Sequence, residues 1–353
     1  MFSTSLSQPA HMGSQDEAAH EQSFEFRGNA KDYFGIWIVN VLLSIVTFGI
    51  YSAWAKVRRL RYFYGHTFLA GHNFDYHADP KKILIGRGIA FAVLIIYQIL
   101  IAIHPAFNLI IIPALFVLPE LINRSIAFNA RMTSHRNLRF GFTGTYRRAL
   151  VVYLLLPILV VITFGLTLPL LSRARWNYVA GNLHYGNARF AADPRLGPLY
   201  ANLGASALVG LVTVMVGVGF FALIMALTDD DDLSIWHFVA LMVYVGLLFG
   251  VVFHGAGVRN IALSSLRLTG GHSFISRLDR LRFLWIAVSN VVVTVATLGL
   301  MRPWAAIRSW RYVMASTAMV VAGSLDEFIG RAGEGGNVSA SEFTDLQGID
   351  FVS

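Results

Sequence analysis

The sequence predicts an all-α integral membrane protein, a polytopic helical bundle that carries three internal repeats. Three observations point there. Of 353 residues, 56% are apolar and 14% charged, against about 25% charged in a soluble domain; the mean hydropathy is +0.58. No Lys or Arg falls between Gly88 and Asn123 or between Leu196 and Val258, and about 20 apolar residues suffice to cross a bilayer core. One pattern also occurs three times without gaps: TFGIYSAWAKVRRLRY from Thr47, TFGLTLPLLSRARWNY from Thr163 and TLGLMRPWAAIRSWRY from Thr297.

The apolar runs divide the chain into seven segments, roughly 33–55, 84–103, 106–123, 149–172, 199–227, 233–258 and 283–301. Residues 1–22 are polar and read as a disordered tail; they lack the positive start and short apolar core of a signal peptide. Residues 326–353 are acidic and rich in Gly and Ser, which predicts a flexible tail. Between them a membrane domain spans 23–325, with repeat units at about 24–80, 140–194 and 266–325 and helical hairpins at about 84–123 and 199–258. Each unit reads as an apolar helix, a Gly break, a basic amphipathic helix and a short extended piece. HTFLAGHNFDYH in the first unit reads as two small strands. Asp79-Pro80 and Asp193-Pro194 read as helix starts, because Asp accepts free N–H groups there and Pro suits the first helical position.

Sidedness follows from charge. The joints His104-Pro105 and TDDDD (Thr228 to Asp232) carry no Lys or Arg and belong outside the cytoplasm. Each repeat segment, by contrast, has basic residues at both ends. With seven plain spans the 28 Lys and Arg divide between the two faces; with the three repeat segments re-entrant, all 28 fall on the cytoplasmic face. The charge pattern therefore favours four full spans and three re-entrant segments over seven spans. The helix-break motif supplies the turn: Thr47 and Gly49, Thr163 and Gly165, Thr297 and Gly299, with Gly tolerating the backbone angles required. Broken backbone at membrane depth needs protein or a water-filled cavity around it. Trp54, Trp176 and Trp304 are expected at the headgroup level.

The stretch FRGNAKDYFGIWIVNVLLSIVTFGIYSAWAKVRRLRYFYGHT, with the two Asp-Pro pairs and the FTDLQGIDF near the C-terminus, resembles the YjgN family of bacterial inner-membrane proteins, a domain-of-unknown-function family. The resemblance runs from about residue 23 to the C-terminus. It implies a multi-pass protein of the bacterial inner membrane. It implies no reaction, cofactor or catalytic residue. The second unit departs from the pattern with Leu170 where the others have Trp54 and Trp304.

The candidate binding residues are basic: Lys56, Arg58, Arg59, Arg61, Arg173, Arg175, Arg308 and Arg311. They suit topology and anionic lipid headgroups, at about 1 kcal/mol each, or a phosphorylated or carboxylated ligand held by paired hydrogen bonds. The net charge of +8 belongs to this cytoplasmic face rather than to nucleic acid. Asn40 and Asn290 occupy one place in two units, where the second has Leu156; they read as interhelical glue. His66, His72, Asp75, His77 and Asp79 would need three or four ligands to converge to form a metal site, and the matching stretch of the second unit keeps only His184, so they read as polar interface residues. Glu120 is expected to pair with Arg124, and Gly210, Gly217 and Gly219 to admit a close helix. There is no Cys, and no cofactor is expected. These residues fit small-solute transport or a channel; the alternative is a non-catalytic scaffold that binds anionic lipid or a protein partner. An enzyme ranks last, for want of an acid/base pair.

Overall fold

The computed structural model describes residues 19–228 and 235–334. Most of both expected tails, and the acidic part of the TDDDD joint, lie outside the described residues. The all-α expectation fails. Eleven short strands form one antiparallel sheet: β1 His20–Ser23, β2 Glu25–Phe26, β3 Thr67–Leu69, β4 His72–Tyr76, β5 Thr133–His135, β6 Leu138–Phe142, β7 Leu183–Tyr185, β8 Ala188–Ala192, β9 Leu266–Leu268, β10 His272–Ser276 and β11 Thr317–Val321. Their spatial order is β1-β11-β10-β9-β8-β7-β6-β5-β4-β3-β2, which makes a nearly closed barrel. The reason for the failure is length. Strands of two to five residues barely show a period of two, and most of their partners lie far away in sequence.

One stretch closes the ring. β1 pairs with β11, placing Gln22 opposite Met319, and β2 pairs with β3, placing Glu25 opposite Phe68. Only Phe24 separates β1 from β2, and its N–H donates to the Thr317 carbonyl at 3.0 Å. His20–Phe26 is thus a single strand in two halves, and it carries both edges of the sheet. Part of the expected N-terminal tail is therefore structural.

The barrel is filled. Phe24 and Phe74 stack at 6.1 Å, Phe140 and Phe190 at 6.4 Å, and Phe190 and Phe274 lie 6.2 Å apart. Tyr185, Leu268, Met319 and Val321 pack into the same cluster. No strand contributes more than three side chains to this cluster, so the core emerges only when the strands meet. Tight turns such as Ala70-Gly71 and Arg136-Asn137, all four residues at positive φ, join strands at one end, as primed hairpin turns require.

Neighbouring strands are antiparallel and run nearly in chain order. The tight turns therefore lie at one end and every helical connection leaves from the other, here called the rim. Five helical hairpins rise from the rim. Three are short: α1 Ala30–Val46 with α2 Ser52–Gly65; α5 Tyr146–Leu150 and α6 Leu156–Ile162 with α7 Leu168–Asn182; α10 Arg280–Ala296 with α11 Arg302–Ala315. A π turn at Val151–Leu155 joins α5 to α6 just before Pro157, which lacks an N–H for the regular ladder. Two are long: α3 Pro80–Ile103 with α4 Ile111–Met132, and α8 Leu196–Thr228 with α9 Ile235–Ser264. A last helix, α12 Leu325–Glu334, covers the turn end, where Phe328 and Ala332 join the barrel core and the Asn187 N–H donates to the Ala332 carbonyl at 3.1 Å. Residues 326–334 of the expected tail are thus helical.

The triplicated pattern has one physical meaning in all three places. The first helix of each short hairpin ends in a Schellman motif. The Gly49 N–H reaches the Ser44 carbonyl at 2.7 Å and the Phe48 N–H reaches Ile45 at 3.1 Å; Gly165 with Val160, Phe164 with Val161, Gly299 with Thr294 and Leu298 with Val295 repeat it. The Thr hydroxyl then bridges the break. Thr47 Oγ1 donates back to Leu43 at 2.7 Å and accepts the Tyr51 N–H at 2.9 Å; Thr163 and Thr297 do the same with Leu159 and Thr167, and with Val293 and Met301. The Tyr that closes each pattern pins the returning helix to the start of the outgoing one. Tyr62 OH donates to the Asn29 carbonyl at 2.9 Å and accepts its N–H at 3.0 Å, Tyr178 OH donates to Thr145, and Tyr312 OH repeats both bonds with Asp279. Tyr62→Phe strands the Asn29 N–H and leaves its carbonyl with only the Tyr33 N–H. It is expected to cost about 1–3 kcal/mol, read as a lower thermal midpoint in detergent.

The long hairpins differ from one another. α8 and α9 pack backbone to backbone. A Cβ on Gly210 would meet the Gly246 carbonyl oxygen at 2.9 Å, and one on Gly217 would run into Met242 Sδ. Gly219 has no such neighbour. α3, by contrast, has no buried residue. Asp79 caps α3 through the Lys81 N–H at 2.9 Å, as the Asp-Pro reading requires. Asp193 does not cap α8, which begins at Leu196. It is held instead by Arg173 at 2.8 Å and Asn177 at 3.3 Å.

Candidate functional site

The eight basic candidates serve different ends. Arg61 donates to the carbonyls of Tyr76 and Ala78, and Arg173 forms an ion pair with Asp193; both hold returning helices against the chain that follows. That pairing keeps the exposed Asp193 carboxyl below the usual carboxylate range, the Arg173 hydrogen bond being the larger cause. Arg58 Nη1 donates to Tyr51 OH at 3.1 Å, and the Arg175 guanidinium lies 5.8 Å from the Tyr153 ring. Lys56 and Arg59 sit on α2 near Arg87. The three basic helices do not converge. α2 and α11 meet, with Trp310 5.2 Å from Phe63, while α7 packs against α8.

Arg308 and Arg311 form part of a different constellation. A cleft of about 740 Å³ opens between α10, α11 and the start of α1, and they line it with Arg282, Trp285, Trp304 and Tyr312. Arg308 Nη1 donates to Ser289 Oγ at 2.6 Å and to Asn290 Oδ1 at 3.1 Å, and its guanidinium lies 5.1 Å from the Trp304 ring. Arg311 Nη2 donates to the Gly28 carbonyl at 2.9 Å. The Arg282 guanidinium lies 5.3 Å from the Tyr312 ring. None of the three pairs with a carboxylate among the described residues. Sequence reasoning passed over Arg282 and Trp285, whose only signal was their place one helix before the basic stretch.

Asn290 joins α10 to α11, its Nδ2 donating to the Ala305 carbonyl and to Ser309 Oγ. Asn40 is also buried, yet its Oδ1 has no partner. Arg124 donates to Glu120 at 2.8 Å. A second cavity of about 440 Å³ sits at the rim between the barrel and α4, lined by Tyr64, Phe74, Phe140, Asn129 and Trp310 among others. Two hydrogen bonds tie polar groups around it: Trp310 Nε1 donates to Thr67 Oγ1 and Tyr76 OH to Asn129 Oδ1. His66 and His77 bond to Tyr62 and Ser134, and no three metal-ligating side chains gather among the described residues.

A filled barrel from whose rim apolar helical hairpins rise defines a class: a membrane protein with helical hairpins built on a β-barrel base. Four of its helical stretches, Pro80–Ile103, Pro105–Met132, Leu196–Leu227 and Trp236–Ser264, are long and apolar enough to cross a bilayer. The chain belongs to the family described as "Bacterial protein of unknown function (DUF898)", whose model matches residues 21–346. It is similar to the inner membrane protein YjgN of Salmonella typhimurium, 31% identical over 155 residues that cover 43% of this chain and 39% of that one. It is also similar to YjgN of Escherichia coli K12, 33% identical over 147 residues that cover 40% and 36%. The match thus spans under half the length of these relatives. No solved structure matches the chain. The four apolar helices and these relatives make it a multi-pass protein of the bacterial inner membrane.

Proposed function

We propose that the chain is a non-catalytic membrane scaffold: a solid barrel held against the cytoplasmic face by two spanning hairpins and three re-entrant ones, in contact with anionic lipid. The observation that carries this reading is the shared rim. Both ends of every helical hairpin are fixed to one end of one barrel, so each must return to the face it left. The strand–helix–helix–strand arrangement then reads as one unit repeated five times, long in two copies and short in three. A helix of 17 residues, such as α1 or α10, is about 25 Å long. Seated on a barrel outside the bilayer, it falls short of crossing a core of about 30 Å.

The tips favour insertion. Phe48, Phe164 and Leu298 are 97%, 99% and 95% exposed and adopt φ of 49°, 49° and 50°, where glycine is usual. A left-handed non-glycine residue costs about 1–2 kcal/mol. Burying such a side chain in hydrocarbon returns about 1.5–3 kcal/mol, so the apolar residue prevails only if the tip sits in lipid. Transport gains less support. The barrel interior is packed with aromatic rings, and the Thr hydroxyls are engaged within their own hairpins.

The native chain has no Cys, so single cysteines can be labelled with an impermeant maleimide in oriented vesicles. Lys31→Cys and Asn137→Cys, at the start of α1 and in a barrel turn, are expected to react only from the cytoplasmic side. Asn108→Cys, in the joint of the first long hairpin, is expected to react only from outside, and Phe48→Cys from neither. Labelling of Lys31→Cys and Asn137→Cys from opposite sides would remove the reading.

A further inference from the structure

We infer that the cleft between α10, α11 and the start of α1 binds the phosphate of an anionic phospholipid headgroup. The inference rests on the membrane reading above and adds a specific, saturable site to it. Three guanidinium groups face one cleft without a carboxylate partner, although gathering like charges is unfavourable unless an anion joins them. Asp32 and Asp279, the acidic residues nearest in sequence to Asn29 and Arg282, are engaged in helix caps: Asp32 bonds Asn29, and Asp279 Oδ1 accepts the Arg282 N–H. Two of the arginines are pre-aligned by hydrogen bonds to Ser289, Asn290 and Gly28, and two lie near the rings of Trp304 and Tyr312. A guanidinium fixed in this way presents its remaining N–H donors in a fork that matches phosphate oxygens.

The other two short hairpins show that the scaffold does not require this arrangement. Aligned on Thr47 and Thr163, the places of Arg282, Trp285, Arg308 and Arg311 hold Asp32, Gly35, Arg58 and Arg61 in the first, and Arg148, Val151, Ala174 and Asn177 in the second. Only the third gathers three arginines beneath two tryptophans. The surroundings select a lipid over a soluble phosphate. Trp285 on α10 is 65% exposed, and beyond it toward the tip Val292 and Val295 are 59% and 70% exposed. A lipid with its phosphate at the arginines would lay its acyl chains along that apolar face, with Trp at the headgroup level.

The test uses the full-length protein in nanodiscs of phosphatidylcholine doped with phosphatidylglycerol, with retained lipids counted by native mass spectrometry after release. The parent is expected to retain phosphatidylglycerol preferentially. Arg282→Gln with Arg311→Gln is expected to reduce that preference about tenfold or more, while Arg58→Gln with Arg59→Gln on α2 leaves it in place. Millimolar inorganic phosphate is expected not to displace the lipid. Equal losses in both double variants would mean general attraction to a basic surface and would overturn the site. Full displacement by inorganic phosphate would overturn the lipid assignment. The thermal midpoint and the cysteine labelling pattern are measured on the same variants. Labelling that keeps its sidedness while lipid preference is unaffected by the cleft substitutions sinks the site alone; lost sidedness in the parent sinks the membrane reading.

Discussion

Replacing Phe190 with alanine is expected to cost about 3–5 kcal/mol, a large share of a total stability of about 5–15 kcal/mol. Phe190 is 7% exposed and sits between Phe140 and Phe274. It lies on β8, which pairs with β7 and β9, in the one apolar cluster that contacts strands around the ring and also holds α12. The cavity left behind would lie among the packed rings inside the barrel. The variant should lose its cooperative melt at a lower temperature and expose α12 to protease first. Phe190→Leu, which keeps most of the volume, should cost clearly less. A Phe190→Ala melt within about 1 kcal/mol of the parent would mean the barrel interior is not a packed core.

The second large effect is acid sensitivity centred on His135. Its side chain is 5% exposed, lies 4.5 Å from the Phe74 ring, and leaves Nε2 buried without a partner. Burial pushes its pKa down to about 4, assisted by the charges of Arg136 and His72 and opposed by backbone bonds near Leu69 and His72. Around it stand His72, Arg136 with its ion-pair partner Asp326 on α12, and Tyr185, whose hydroxyl donates to the His135 carbonyl at 2.8 Å. His272 shares the turn end. Its Nδ1 accepts the Ala322 N–H at 3.1 Å, its ring lies 4.3 Å from Phe328, and burial lowers its pKa as well. The folded protein keeps His135 neutral, whereas the unfolded chain protonates it near 6.5. The unfolded state thus binds more protons between those values, so stability rises with pH across this window. The contribution is complete above about 6.5 and is lost as pH falls toward 4, on the order of 3 kcal/mol. Melting at pH 7.5 and at pH 4.5 should therefore differ more for the parent than for His135→Phe. Parallel pH profiles for the two would assign the acid sensitivity elsewhere.

What the sequence made legible followed period and position. Long apolar runs gave α3, α4, α8 and α9, because a helix of 20 or more residues repeats its signal many times. The breaks at Gly49, Gly165 and Gly299 were legible because they recur in register. Their mechanism was only half visible: Gly was expected at the turn, but the leading left-handed residues are Phe48, Phe164 and Leu298. The barrel was not legible. A strand such as Glu25–Phe26 or Leu266–Leu268 has too few residues to alternate, and its partners are set by the ring rather than by neighbours in sequence. Treating the hairpins as spacers also hid the fact that the Phe of HNFDY, LRFGF and HSFIS holds equivalent places after long and short hairpins alike. Asp193 was misread because the sequence places it before a Pro, while Arg173 and Asn177 lie a helix away. The cleft was legible by halves: Arg308 and Arg311 belong to a recognisable basic helix, but Arg282 and Trp285 come from the helix before it.

The divided strand at His20–Phe26 has a consequence for biosynthesis. As the polypeptide leaves the ribosome, His20–Ser23 emerges well before Thr317–Val321, the strand it must pair with. The helices made in between can pair one hairpin at a time while the ring stands open, like an arch before its keystone. Shutting it therefore requires that β11 has been made, and a product truncated after α9 would leave β1 and β8 as two raw sheet edges before the proteases and chaperones that police unfinished proteins.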